Sequence, residues 1–174
     1  GIGIAKKIDM LSFAIATGMS QGVLPLIAYN YSSRNYKRMK SALKVDFLIS
    51  FTIALISTIL LFTCAGPIVK AFINDAETVR YGQLFQKIIC ITGPCISVTM
   101  LTITAFQSVG KKLQPAILSL MRKGGLDIPF MLLLNMLVGV SGIVWSTPIA
   151  DLCAMTVAII LFVPFWRQLS QIGQ

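Results

Sequence analysis

The sequence contains no histidine, only six acidic residues and no cysteine pair at CxxC spacing. Without histidine there is no Ser-His-Asp or Cys-His set and no HExxH zinc helix. The four cysteines, Cys64, Cys90, Cys95 and Cys153, all fall inside apolar segments and lack the companions of a metal site, so they read as small buried apolar groups. A Walker-type glycine loop is missing as well, which leaves ATP-driven and hydrolytic chemistry without residues to run on. The chain is read as non-enzymatic, with no catalytic residues, no metal and no cofactor. Charge is equally scarce: 12% of the 174 residues are charged and 56% are hydrophobic, with a mean hydropathy of +0.82, whereas ordinary soluble domains carry about 25% charged residues. That many charges cannot cover a soluble domain of this size, so the chain is expected in a membrane.

What is present is a succession of long apolar runs, at about 9–31, 45–72, 83–109, 115–140 and 143–166, each near the 20 or so residues that a bilayer core requires of a helix. No period-two alternation competes with them. The fold class is therefore all-α, a polytopic membrane helix bundle with about five crossings. The fourth run is interrupted by Arg122, Lys123 and Asp127, of which Lys123 and Asp127 stand i,i+4 and are placed to pair on one helix face.

The net charge of +9 raises nucleic acid as a partner for a soluble chain, but here the basic residues lie between the apolar runs, so no nucleic acid is expected and membrane lipid headgroups are. Arg34, Lys37, Arg38, Lys40 and Lys44 fall in segment 32–44, Lys111 and Lys112 in segment 110–114, and Arg167 follows the last run. By the positive-inside bias these loops and the C-terminus are cytoplasmic, which starts Gly1 on the outside. With no initiating Met and no cleavable leader, an outside start implies an upstream helix, and six crossings or a multiple of six is the natural whole.

Polar groups inside such helices must face protein or water, because an unpaired one in hydrocarbon costs several kcal/mol. Gln21 and Asn30 flank Pro25, whose ring removes a backbone hydrogen bond and frees a carbonyl; a broken helix lining a cavity and a plain packing kink account for it equally well. Pro94, Pro129, Pro148 and Pro164 repeat the device. Asp151 is the deepest acid, fit either for proton coupling or for a structural hydrogen bond to a neighbouring helix. Asp46 and Asp9 sit beside Lys44 and Lys6 and are read as headgroup-level ion pairs. Gln107 and Asn135 need partners outside their own helices. Met100, Met131, Met136 and Phe106 would suit a cavity for amphipathic ligands, although apolar stripes are more often simple packing.

The stretches "GMSQGVLPLIAYNYSSRNYKRMKSAL", "AFQSVGKKLQPAILSLMRKGGLDIPFMLLLN" and "GIVWSTPIAD" occur in an order and spacing that resemble one lobe of the multidrug and toxic compound extrusion (MATE) family. The resemblance implies a twelve-helix, cation-coupled exporter of two six-helix lobes around a central cavity. This chain is similar to the C-terminal lobe without its first helix. Its partners are then the amino-terminal lobe of the same polypeptide, membrane lipids and small cationic or amphipathic substrates. Its place is the bacterial cytoplasmic membrane, and the coupling ion is H+ or Na+. Where one branch of the family has an acid on the helix matching 83–109, this chain has none. The cavity candidates are Gln21, Asn30, Gln107, Asn135 and Asp151, with kinks at Pro25, Pro94, Pro129 and Pro148. A lipid-linked oligosaccharide flippase of related fold and a non-transporting membrane module are the alternatives. The first would want lysines and arginines deep in its helices, and the second no polar interior.

Overall fold

The computed structural model describes residues 2–72 and 75–172, all helices and short connections, with no strand among the described residues. The side chains of Asp9 and Lys123, for which ion pairs are expected from sequence, lie outside the described set.

Helix α1 (Ile2–Ser32) and α2 (Tyr36–Thr63) form an antiparallel hairpin. Its three-residue turn is closed by the Asn35 amide donating to the Asn30 carbonyl at 2.8 Å, while the Asn35 side chain caps α2 by accepting from the Arg38 amide at 3.2 Å. Arg34 takes the left-handed conformation there, with φ 55. The cap starts α2 nine residues earlier than the apolar run. Lys37, Arg38, Lys40 and Lys44 therefore ride on helix, where lysine and arginine are good formers, and not on a loop.

A short α3 (Ala65–Lys70) leads to α4 (Ala76–Cys90) and α5 (Gly93–Ser108), which meet at a bend of 41°. The bend falls at Ile91–Thr92 because Gly93 and Pro94 follow it. Pro94 is thus in the first turn of α5, where its missing N–H costs nothing, and marks a break between helices instead of a kink within one. Gly93 lets the helices approach: a Cβ there would collide with the Thr58 hydroxyl, which donates to the Cys90 carbonyl at 3.1 Å. The fourth run breaks up in the same way, into α6 (Leu113–Leu120), a π-helical turn (Met121–Gly125) and α7 (Asp127–Val138). Pro129 lies in the first turn of α7 and again does not kink a helix. Pro25, Pro148 and Pro164 do lie inside helices, the first in α1 and the others in α8 (Val140–Ile172).

Helix α5 is the hub. Buried residues line it from Ile96 to Phe106 on nearly every face, and it packs against α1, α2, α6 and α8. Ile27, Met39, Leu43, Leu101, Phe106 and Phe165 form one apolar cluster beside it, and Ala16, Ile96, Met100, Ile103 and Ala158 another. The outside is apolar too: Leu48, Ile56, Ile59 and Leu60 of α2 and Met136 and Leu137 of α7 are largely exposed, the last two at 85% and 78%. An apolar core wrapped in an apolar exterior belongs in lipid. By length and composition, α2 and the stretch 141–172 of α8 are long and apolar enough to cross a membrane, and α4 with α5 makes a third such span if the bent pair is counted as one. The runs at 9–31 and 115–140 do not join them on that measure among the described residues, the second because the π turn splits it into short pieces.

Candidate functional site

Three breaks in helical regularity converge on one buried ion pair. Arg122, carried by the π turn, donates through Nε to Oδ1 of Asp151 at 2.8 Å, and both side chains are almost wholly buried. Thr92, at the α4–α5 bend, donates its hydroxyl to the other carboxylate oxygen at 3.2 Å. The guanidinium lies 4.4 Å from the centre of the Phe13 ring of α1, a distance at which a desolvated cation gains from the ring quadrupole. Asp151 itself stands three residues after Pro148 on α8, so the disturbed turn of α8 faces the disturbed turn between α6 and α7. Arg122 keeps one buried nitrogen, Nη1, without a partner.

A second acid lies alongside. Asp127, the first residue of α7, accepts from the hydroxyls of Ser146 and Thr147 at 3.2 Å each and pairs with Lys6 at 3.7 Å. Ser146, Thr147 and Asp151 share about one turn of α8, so this helix serves both carboxylates. Two carboxylates, two cations and three hydroxyls thus bind α1, the α4–α5 bend, the π turn, α7 and α8 into one polar joint within an apolar bundle. The residue types are those of a binding or switching site: among the described residues no nucleophile is set beside a base and no three metal-ligating groups cluster.

The other expected site residues are dispersed. Gln21 and Gln107 do meet, Nε2 donating to Oε1 at 3.4 Å across α1 and α5, with both side chains exposed. Gln107 also borders an open cleft of about 390 Å³ with Lys111, Lys112 and Ser119. Asn30 is buried but turns back on its own helix, donating to the Leu26 carbonyl at 2.7 Å. Asn135 is exposed on α7 and makes no side-chain hydrogen bond among the described residues. Asp46 does not pair with Lys44. Residues two apart on a helix point in different directions, and Asp46 faces inward at 2% exposure, taking the Ser50 hydroxyl at 3.2 Å while its Oδ2 has no partner. Ser97 of α5 continues that chain by donating to the Ser50 carbonyl at 3.3 Å.

Arg122, Thr92 and Asp127 were not legible as a site with Asp151. The available signal was the conjunction of one unplaced cation and one unplaced anion, each inside an apolar run, since two such charges are least costly when they meet.

The architecture defines a class: an all-helical, multi-pass membrane protein whose helices break around a buried polar joint. The chain belongs to the MatE family, whose profile matches residues 1–133. It is 29% identical over 161 residues to the multidrug export protein MepA of Staphylococcus saprophyticus, an overlap that takes in 92% of this chain and 35% of the relative. Among solved structures it resembles the inward-facing conformation of a multidrug resistance MATE family transporter of the MOP superfamily, with a TM-score of 0.87, 18% identity and coverage of 98% of this chain and 40% of the other. The outward-facing conformation of such a transporter fits it with the same TM-score and identity, over 97% of this chain and 38% of the other. The chain spans about a third of the length of the curated relatives it matches, and those relatives are named for export, not for a reaction.

Proposed function

We propose that these residues form one lobe of a multidrug exporter, a secondary antiporter coupled to H+ or Na+ that moves cationic or amphipathic compounds out of the cell. The observation that carries this reading is the likeness to MepA along 92% of the chain. The equal fit of the fold to inward- and outward-facing transporters is what a lobe moving as a body against its counterpart would give. In this reading the remaining lobe is the essential partner and the five apolar runs cross the bacterial cytoplasmic membrane with their basic ends inside. Gln21, Gln107 and the Arg122–Asp151 joint border the pathway or its hinge, while Asn30 serves its own helix. Among the described residues the one buried arginine is already held by Asp151, which counts against the free cationic cavity that the flippase alternative wants.

The test is efflux of ethidium from a drug-sensitive host expressing the complete gene that contains this chain, with and without a proton or sodium gradient. Gradient-dependent efflux is expected, and Asp151→Asn at equal membrane abundance is expected to lower it about tenfold or more, the effect of about 1.4 kcal/mol on a rate. Absence of gradient-dependent efflux for every cationic dye contradicts the export reading, and unchanged efflux in Asp151→Asn removes that residue from the pathway.

A further inference from the structure

We propose that a cleft between α2 and α8 at the basic end of the bundle is a binding site for one anionic phospholipid. The cleft encloses about 310 Å³, within the roughly 300–1,000 Å³ typical of ligand pockets. Phe47 of α2 and Phe162 and Val163 of α8 wall it, and its mouth carries Lys44 and Arg167 with the Trp166 indole between them. Along one line this gives hydrocarbon, then an amphipathic ring, then two cations, the sequence of chemistries met along a phospholipid from acyl chain through interface to phosphate.

The two cations have no counter-charge. Among the described residues the ion pairs are Lys6–Asp127 and Arg122–Asp151, and no acidic side chain lines the cleft. Lys40, the neighbouring cation, is occupied: its Nζ donates to the Ser170 hydroxyl at 2.5 Å and stands 5.5 Å from the Trp166 ring. Lys44 lies 6.0 Å from the same ring and lines the cleft itself. An uncompensated pair of cations above an apolar slot in a membrane protein selects an anion that carries its own hydrocarbon. A lipid phosphate does, and a soluble anion does not.

Trp166 reports on the site directly, because the chain has one other tryptophan, Trp145, about six helical turns back along α8 and outside the cleft. The chain with Trp145→Phe is placed in phosphatidylcholine vesicles in which either phosphatidylglycerol or phosphatidylcholine bears brominated acyl chains, which quench tryptophan on contact. Each Lys or Arg near an anionic surface is worth a factor of about five in local lipid enrichment. With two cations at the mouth, brominated phosphatidylglycerol is therefore expected to quench Trp166 as strongly as a roughly 25-fold higher fraction of brominated phosphatidylcholine. The excess is expected to vanish in Lys44→Ala/Arg167→Ala, both exposed side chains, and to be absent for Trp145 read alone in Trp166→Phe. Equal quenching by the two lipids, no quenching by either, or an excess that survives the double substitution overturns the proposal.

Discussion

Arg122 and Asp151 hold each other in a place where neither has water to turn to, so each is costly without the other. Removing one member of a buried ion pair strands its partner and costs about 3–5 kcal/mol, whereas replacing both by apolar groups of similar size is often close to neutral. Asp151→Asn is accordingly expected to lower the thermal unfolding midpoint of the detergent-solubilised chain clearly, and Arg122→Met/Asp151→Leu to regain most of the loss; equal stability of the single variant and the parent contradicts a paired joint. Asp75 is a different case, at the surface ahead of α4. Its Oδ2 accepts from the Thr78 hydroxyl at 2.5 Å and the Thr78 amide at 2.9 Å, and these bonds hold the carboxyl below its ordinary value of 3.8. A depressed folded value means that the cap's stabilisation is complete above the unfolded value and is lost as the pH falls through the folded one, below about pH 4. A carboxyl carbon NMR titration is expected to place the Asp75 midpoint below 3.8 and to move it upward in Thr78→Val; a midpoint unmoved by that change argues against the cap. Sequence spacing cannot show which of several isolated charges meet across the bundle, and that is why Asp151 was visible as a buried acid while Arg122 was not visible as its partner.

At the scale of the element, the helices begin and end where local chemistry dictates, and only roughly where hydropathy does. The Asn35 cap and the helix-forming lysines start α2 at Tyr36, outside the apolar run, because a run marks what lipid tolerates and not what a helix requires. Pro94 and Pro129 were legible as interruptions, but whether a proline kinks a helix or opens one depends on the residues before it, here Gly93 in one case and the π turn in the other. The α7–α8 hairpin shows what glycine contributes at a close approach. Gly139 turns the chain with φ 72, and three residues later a Cβ on Gly142 would collide with the backbone carbonyl of Leu134. Gly142→Ala must therefore push the two helices apart and is expected to cost roughly 1–3 kcal/mol. Gly22→Ala on α1, with nothing within 4 Å of the new methyl, is expected instead to stabilise by about 0.5–1 kcal/mol through helix propensity. Calorimetry of the two variants separates them; a Gly142→Ala chain as stable as its Gly22→Ala counterpart disproves the close contact.

At the scale of the whole molecule, the membrane character was readable from the scarcity of charge and the all-α class from the length of the apolar runs, and lipid is the solvent that suits an exterior made of Leu48, Ile59, Met136 and Leu137. The central place of α5 was not, because its threonines and serines look like any polar scatter in one dimension and show their role only when four helices press on them. The basic segment between the first two runs has the furthest-reaching geometry. Since its cations are mounted on the rigid start of α2, and the connection to α1 is three residues long, the hairpin has no slack with which to absorb a change of depth. A slip of one residue through the bilayer would carry the whole collar of ammonium and guanidinium groups about 1.5 Å along the normal, and α1 with it. The membrane thus grips this hairpin like a ruler with a stop at one end, and its thickness sets the height at which the hairpin's inner contacts are presented.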